Sequence, residues 1–298
     1  MRAFVTSTGT SNYQGCYEVM DEDEPKPKRV PPKSNLNGVS PDQRSDEKIA
    51  RVLGWVYLHG FSTAEMIRQI SRQAKRGYAK KLVSAGLLVA TRTESGGIVR
   101  SSPEFYFTLT ERGIQEAQRH SHVHLKYPEL DRWRVDQRKM RHNLIVQEVT
   151  WFHLDLALIA GHLSERMIHP EGDQSNVKRP DAVWIEDDDS KTAIEVELTG
   201  KWDRDLDEFI LKIIRSLNVT GVRDGSYDRY FIVSDSQAIL DRYKKAVQPG
   251  NALGIWAKSA RNHWEKHRSG VVPDWLVNHV NFHLYPSFIW KVNSNLPR

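Results

Sequence analysis

The spacing of apolar residues changes several times between Asp46 and Gly113, and each change marks a new element. Ile49, Val52, Leu53 and Val56 recur at helical intervals and stop before His59-Gly60. Ser62 or Thr63 caps a second helix bearing Met66, Ile67 and Ile70. The repeat of Ala74, Tyr78 and Leu82 predicts a third helix from Arg72 to Ala85, with Gly86 as its stop. The pattern then turns to strands. Leu87 to Thr91 and Phe105 to Leu109 read as a hairpin around Glu94-Ser95-Gly96-Gly97, and Thr110 caps a further helix.

Residues 121–140 form a polar, basic connection. Beyond it, Asn143 to Ile159 suits a long buried helix, and Glu165 to Ile168 a first strand. Asp181 to Ile185 and Thr192 to Thr199 follow as strands, separated by an acidic turn at Glu186 to Asp189. Leu206, Phe209, Ile210, Ile213, Ile214 and Leu217 give an amphipathic helix. Arg229 to Ser234 reads as a central parallel strand. The segment from Asn251 holds Trp256, Trp264, Trp275 and Trp290 and is expected to pack. Residues 1–44 combine the acidic run Asp21 to Glu24 with a proline- and lysine-rich stretch, and are expected to be a disordered tail.

Composition narrows the class. Among 298 residues the mean hydropathy is −0.58, and no apolar run is long enough for a bilayer. Cys16 is the only cysteine, which excludes an intrachain disulfide and a thiolate zinc cluster. A soluble cytoplasmic protein without membrane insertion is expected. The net charge of +5 is unevenly spread: residues 45–141 carry +8 and residues 142–298 carry −3. A basic module joined to a mildly acidic one suits DNA docking beside a metal site.

The acidic signal lies in the second half. The run Lys191 to Thr199 alternates, with Ala193, Glu195, Glu197 and Thr199 on one face and Ile194, Val196 and Leu198 on the other. A globular core rarely places two carboxylates on one strand face without a cation, because burying unpaired charge is costly; the other reading is an edge strand with a solvated face. With Asp181 at the end of a neighbouring strand, the three acids form a candidate site for Mg²⁺ or Mn²⁺, and the Val196 carbonyl is a further oxygen ligand candidate. Lys201 is a candidate to orient water or stabilise phosphate charge, and Glu197 is alternatively a general base.

Pro180-Asp181 followed by Glu195-Val196-Glu197 resembles the PD-(D/E)XK nuclease superfamily, with Glu197 where that pattern carries lysine and Lys201 four residues on. The wider segments Lys178 to Val183 and Ile194 to Lys201 resemble MobC-type plasmid mobilisation relaxases, to which replication-relaxation proteins are related. The resemblance runs over roughly residues 45 to 245. It implies an α/β fold: an N-terminal winged helix-turn-helix at 45–120, the basic linker at 121–140, and a restriction-endonuclease-like domain with a mixed central sheet and C-terminal extension at 141–298. It also implies a metal-dependent endonuclease that nicks one strand of plasmid DNA at a transfer origin, working with a relaxosome accessory protein and a coupling protein. In such relaxases a histidine accompanies the acids, which makes His142 a catalytic candidate alongside Asp181, Glu195, Glu197 and Lys201. The other reading of His142 is a helix-start residue with a satisfied imidazole. Glu148 is a weaker ligand candidate.

In the basic module, Arg72, Lys75 and Lys80 are expected to dock phosphates, with Gln73 or Arg76 reaching base edges. Arg92 and Arg100 flank the hairpin tip and suit a phosphate strand or the minor groove. A second His-based signal, His122-Val123-His124 with Tyr127 nearby, lies in polar sequence without a strand pattern and is set aside. Two alternatives stay open: a non-catalytic DNA-binding replication or partition regulator with a degenerate nuclease fold, and a double-strand endonuclease of restriction type.

Overall fold

A computed structural model describes residues 40–74, 77–98, 102–125, 131–168, 178–222, 225–259 and 261–285. The chain divides into two compact units, Met1–Arg44 and Ser45–Arg298. The expected tail at 1–44 lies almost wholly outside the described residues. The fold is α/β, with seven α-helices among the described residues. No described helix is long and apolar enough to cross a membrane.

The chain first forms α1 (Pro41–His59), β1 (Ser62–Thr63), α2 (Ala64–Ile70), α3 (Tyr78–Ser84), β2 (Leu88–Arg92), β3 (Phe105–Leu109) and α4 (Glu111–His120). Strands β1, β3 and β2 make a small antiparallel sheet in that order. Thr63 and Thr110 cap α2 and α4, each accepting a hydrogen bond from a backbone N–H three residues on. Val52, Leu53 and Val56 of α1 pack with Met66, Ile67 and Ile70 of α2, Leu82, Leu88, Phe107 and Ile114.

The third helix is shorter than its apolar repeat predicts. Arg72 adopts φ +52°, its N–H donates to the Gln69 carbonyl, and the Gln73 N–H donates to the Arg68 carbonyl. This paired arrangement closes α2 and leaves Arg72 and Gln73 in a turn, so neither lies on a recognition helix as expected. At the other end Gly86, with φ +69°, closes α3 in the same way. Gly113 is required by close packing, since a Cβ there would sit 2.1 Å from the Leu87 carbonyl oxygen. Gly113→Ala is therefore expected to cost about 1–3 kcal/mol of stability, read as a lowered midpoint in urea.

The second half contains α5 (Met140–Asp155), β4 (Gly161–Ser164), β5 (Ala182–Ile185), β6 (Lys191–Val196), α6 (Asp203–Ser216), β7 (Arg229–Ser234), α7 (Gln237–Ala246), β8 (Ala252–Lys258), β9 (Trp264–Val271) and β10 (Val280–Leu284). Five of these strands form a mixed sheet in the order β10-β7-β6-β5-β4, with β6, β7 and β10 parallel and the β4–β5 and β5–β6 pairs antiparallel. Alternation divides the sheet into two cores. Ile194, Val196, Ala182 and Trp184 meet α5 on one face, while Ala193, Val183, Tyr230 and Ile232 meet α6 and α7 on the other.

Three boundaries differ from the sequence reading. The first strand is Gly161–Ser164, set by antiparallel register with β5. Glu165 to Ile168 instead forms a turn closed by Met167 N–H to the Ser164 carbonyl, and it drops Met167 and Ile168 onto separate cores. Helix α5 ends at Asp155 because Ala157 takes φ +52°, with Leu158 N–H donating to the His153 carbonyl. Strand β6 ends at Val196, although Glu197 N–H still donates to the Val233 carbonyl at 2.8 Å.

Buried polar groups tie α5 to α1 and to the segment after it. The Gln147 side chain is fully buried, and its Oε1 accepts from Trp55 Nε1 at 2.9 Å and Ser62 Oγ at 3.1 Å. Its Nε2 donates to the Phe61 carbonyl at 3.0 Å. Close by, the His59 and His162 rings stack at 8°, with their Nε2 atoms 3.3 Å apart. Ser164 Oγ donates to the Leu58 carbonyl at 2.6 Å. These contacts hold α1 against α5 and β4, and the first turn of α5 carries His142.

Candidate metal centre

Asp181 stands immediately before β5, where its N–H donates to the Ile194 carbonyl at 2.9 Å. This short span of antiparallel pairing sets Asp181 beside β6. Its Oδ2 accepts from the Val196 N–H at 2.8 Å and lies 3.1 Å from His142 Nε2. Burial alone would raise the Asp181 pKa, but His142, the Val196 amide and Lys178 together hold it below the ordinary value. The reciprocal effect acts on the histidine. Burial disfavours its cation, yet Asp181, Asn143 and Glu195 override that and raise His142 to about 9. His142 is thus a protonated partner of Asp181 at neutral pH.

Glu195 projects from β6 with 1% of its surface exposed. Its Oε2 meets Lys178 Nζ at 2.8 Å, whereas its Oε1 is buried without a hydrogen-bond partner. Burial and the neighbouring Asp181 charge push the Glu195 pKa well above the ordinary value against the pull of Lys178, and Glu197 adds to the rise. Lys178 is desolvated too, but Glu195, Asp181 and Glu197 keep its pKa raised. Three acids therefore share one field.

Glu197 is buried and pairs with Lys201, while Tyr243 Oη donates to its second oxygen at 3.4 Å. Lys201 Nζ lies 4.6 Å from the Phe209 ring centroid. The cation expected from the following turn does serve Glu197. The cation on Glu195 is Lys178, which the sequence reading left without a role. Its position three residues before Asp181 was a visible signal, but its contact with Glu195 depends on β5 folding against β6.

Among the described residues, no three His, Cys, Asp or Glu side chains close on a common point as a ready cage, and each acid has its own cationic neighbour. The donor set nevertheless fits a hard divalent cation. It offers carboxylate oxygens, one of them buried and unpartnered. A small cleft reaches Asp181, lined by Leu58, His59, His142, Gln147 and Arg166 among others. Glu148 faces elsewhere, accepting a hydrogen bond from Tyr285 Oη.

The expected DNA contacts are scattered. Arg72 pairs with Asp155 of α5 at 2.8 Å, and Gln73 follows it in the turn. Lys80 is exposed on α3, and Arg92 ends β2 within 3.8 Å of Glu104. Lys75, Arg76 and Arg100 lie outside the described residues. His122 and His124 are exposed and outside any strand, while Tyr127 is not among the described residues. Comparison with protein-family models, curated proteins and solved structures returned no match.

Proposed function

We propose that the chain is a metal-dependent DNA endonuclease of the MobC relaxase type, which nicks one strand at a plasmid transfer origin. The observation that carries this reading is the buried Glu195 carboxylate with an unpartnered oxygen, crowded by Asp181 and Glu197. In this reading residues 45–120 are a winged helix, 121–140 a linker, and 141–298 a restriction-endonuclease-like domain. The order α5, then the β4–β5–β6 strands, α6 and β7 supports that assignment. The setting is cytoplasmic, with plasmid DNA, a relaxosome accessory protein and a coupling protein as partners.

Asp181 and Glu195, with Glu197, would hold Mg²⁺ or Mn²⁺. Bound there, the ion supplies Lewis-acid charge for phosphodiester cleavage. His142, protonated against Asp181, fixes that carboxylate and carries a proton at Nε2. Lys178 places a second positive charge at Glu195, where it can meet a phosphate oxygen. Lys178→Met is expected to slow nicking by about 10²-fold, and Lys201→Met by less than about 10-fold. A larger loss from Lys201→Met than from Lys178→Met in single-turnover assays would return the principal role to Lys201.

The test of the reading is nicking of supercoiled plasmid carrying the cognate origin, with Mg²⁺ or Mn²⁺ and with chelator. Open circles that need the ion support it. The second reading, a DNA-binding regulator without catalysis, draws on the cation already paired with each acid. It predicts gel shifts of the same DNA without open circles when the accessory protein is supplied.

A further inference from the structure

The hairpin of β8 and β9 takes no part in the acidic site, yet it is built for contact. Trp256 anchors it to α6 by donating from Nε1 to Asp207 Oδ2 at 2.9 Å. From Trp264 to Ser269 every residue of β9 is exposed. Residues 252–271 carry four Lys or Arg against one acid. Strand β8 sets Leu253 in the core beside α6, while the outer strand β9 is left in solvent.

Two tryptophans beside it stand in solvent. Trp202 is 63% exposed and Trp264 is 44% exposed. Each is covered by cations: the Arg242 guanidinium lies 3.0 Å from the Trp202 ring centroid, and Arg204 and Lys258 lie 4.6 and 5.5 Å from that of Trp264. One of these cations is braced. Arg204 is held by Asp205 at 2.6 Å and Glu208 at 3.8 Å. The Trp202 backbone is fixed on both sides, by Lys201 N–H donating to Tyr243 Oη at 3.2 Å and by Asp203 in the left-handed region at φ +39°. A non-glycine residue held there stores backbone strain, which commonly marks functional positions. Lys201, next to Trp202, is the partner of Glu197.

We propose that Trp202 and Trp264, backed by Arg242, Arg204 and Lys258, form a stacking platform for unpaired bases of single-stranded DNA beside the acidic site. The proposal rests on the DNA reading above. Paired bases offer only their edges and phosphates, whereas an exposed indole recognises the face of a base. The local charge favours bases as well. Asp203, Asp205 and Glu208 make the start of α6 a poor seat for phosphate, so beside Trp202 the contact runs through rings, with the basic hairpin left to meet the backbone. A strand parted at the nick would supply such bases.

The test uses the full chain without divalent ions, titrated against a fluorescein-labelled single strand and the corresponding duplex by anisotropy. Trp202→Ala and Trp264→Ala together are expected to weaken single-strand binding about 10- to 100-fold. Duplex binding should stay within about twofold, because it draws on phosphate contacts from other parts of the chain. Trp202→Phe and Trp264→Phe should retain most of the affinity, and a 2-aminopurine strand should lose fluorescence on the native protein only. Equal loss on both DNAs, no loss on the single strand, or Phe variants as weak as folded Ala variants would overturn the platform. If the native protein binds neither DNA, the DNA reading itself fails, and the platform with it.

Discussion

Glu195→Gln is expected to reduce metal-dependent nicking by about 10³-fold while leaving the fold and duplex binding intact. Glutamine keeps the shape of a side chain that is 1% exposed, so no cavity forms. What disappears is one negative charge among three. Two electrostatic effects on stability then oppose each other. The change relieves the pressure that Asp181 and Glu197 place on Glu195, but it leaves Lys178 facing a neutral amide. Lys178 keeps the fields of Asp181 and Glu197, so the melting midpoint should shift by only a few degrees, roughly 1 kcal/mol. Mn²⁺ affinity by calorimetry should fall at least about tenfold, since a hard cation loses a carboxylate oxygen. A variant that nicks at the native rate would remove Glu195 from the site. A variant that loses Mn²⁺ affinity but not nicking would separate the bound ion from the chemistry.

The acids were legible because alternation in β6 is local. Ile194 and Val196 fix one face as core, which forces Glu195 onto the other beside Ala193. The capping threonines and Gly86 were legible for the same reason, since each acts within its own turn. Two helix ends were not. Arg72 and Ala157 take the left-handed conformation without being glycine, and only tertiary structure makes that worth its strain. Lys178 was hidden by topology, since it reaches Glu195 across 17 positions of sequence through β5 pairing on β6. Lys201 was the cation that sequence distance favoured, and it serves the acid four residues before it. Strand β10 did carry a signal. Val280-Asn281-Phe282-His283-Leu284 alternates, but it follows a hairpin, and its parallel partner β7 lies about fifty residues earlier.

Acidification from pH 6.5 toward 4 is expected to loosen the junction between α1 and the central sheet. Burial and the neighbouring His162 and Arg166 lower the His59 pKa well below 6.5, and burial lowers that of His162 to about 4. Both rings are neutral in the folded chain, sharing a contact of 3.3 Å that admits one proton between the Nε2 atoms. The unfolded chain takes up protons near pH 6.5, the folded chain only near pH 4. Stability therefore falls as pH drops from 6.5 toward 4, by about 2 kcal/mol at pH 5 from His162 alone. His142 is silent in that window because, with its folded pKa near 9, it is protonated in both states below 6.5. Its own contribution disappears instead as pH rises toward 9. His162→Gln keeps a polar group facing His59 and cannot charge. Urea melts at pH 7 and pH 5 should show a gap about 2 kcal/mol smaller in this variant than in the native chain. An unchanged gap would mean that solvent already reaches the pair, and that the junction is held by Gln147 and its three partners instead.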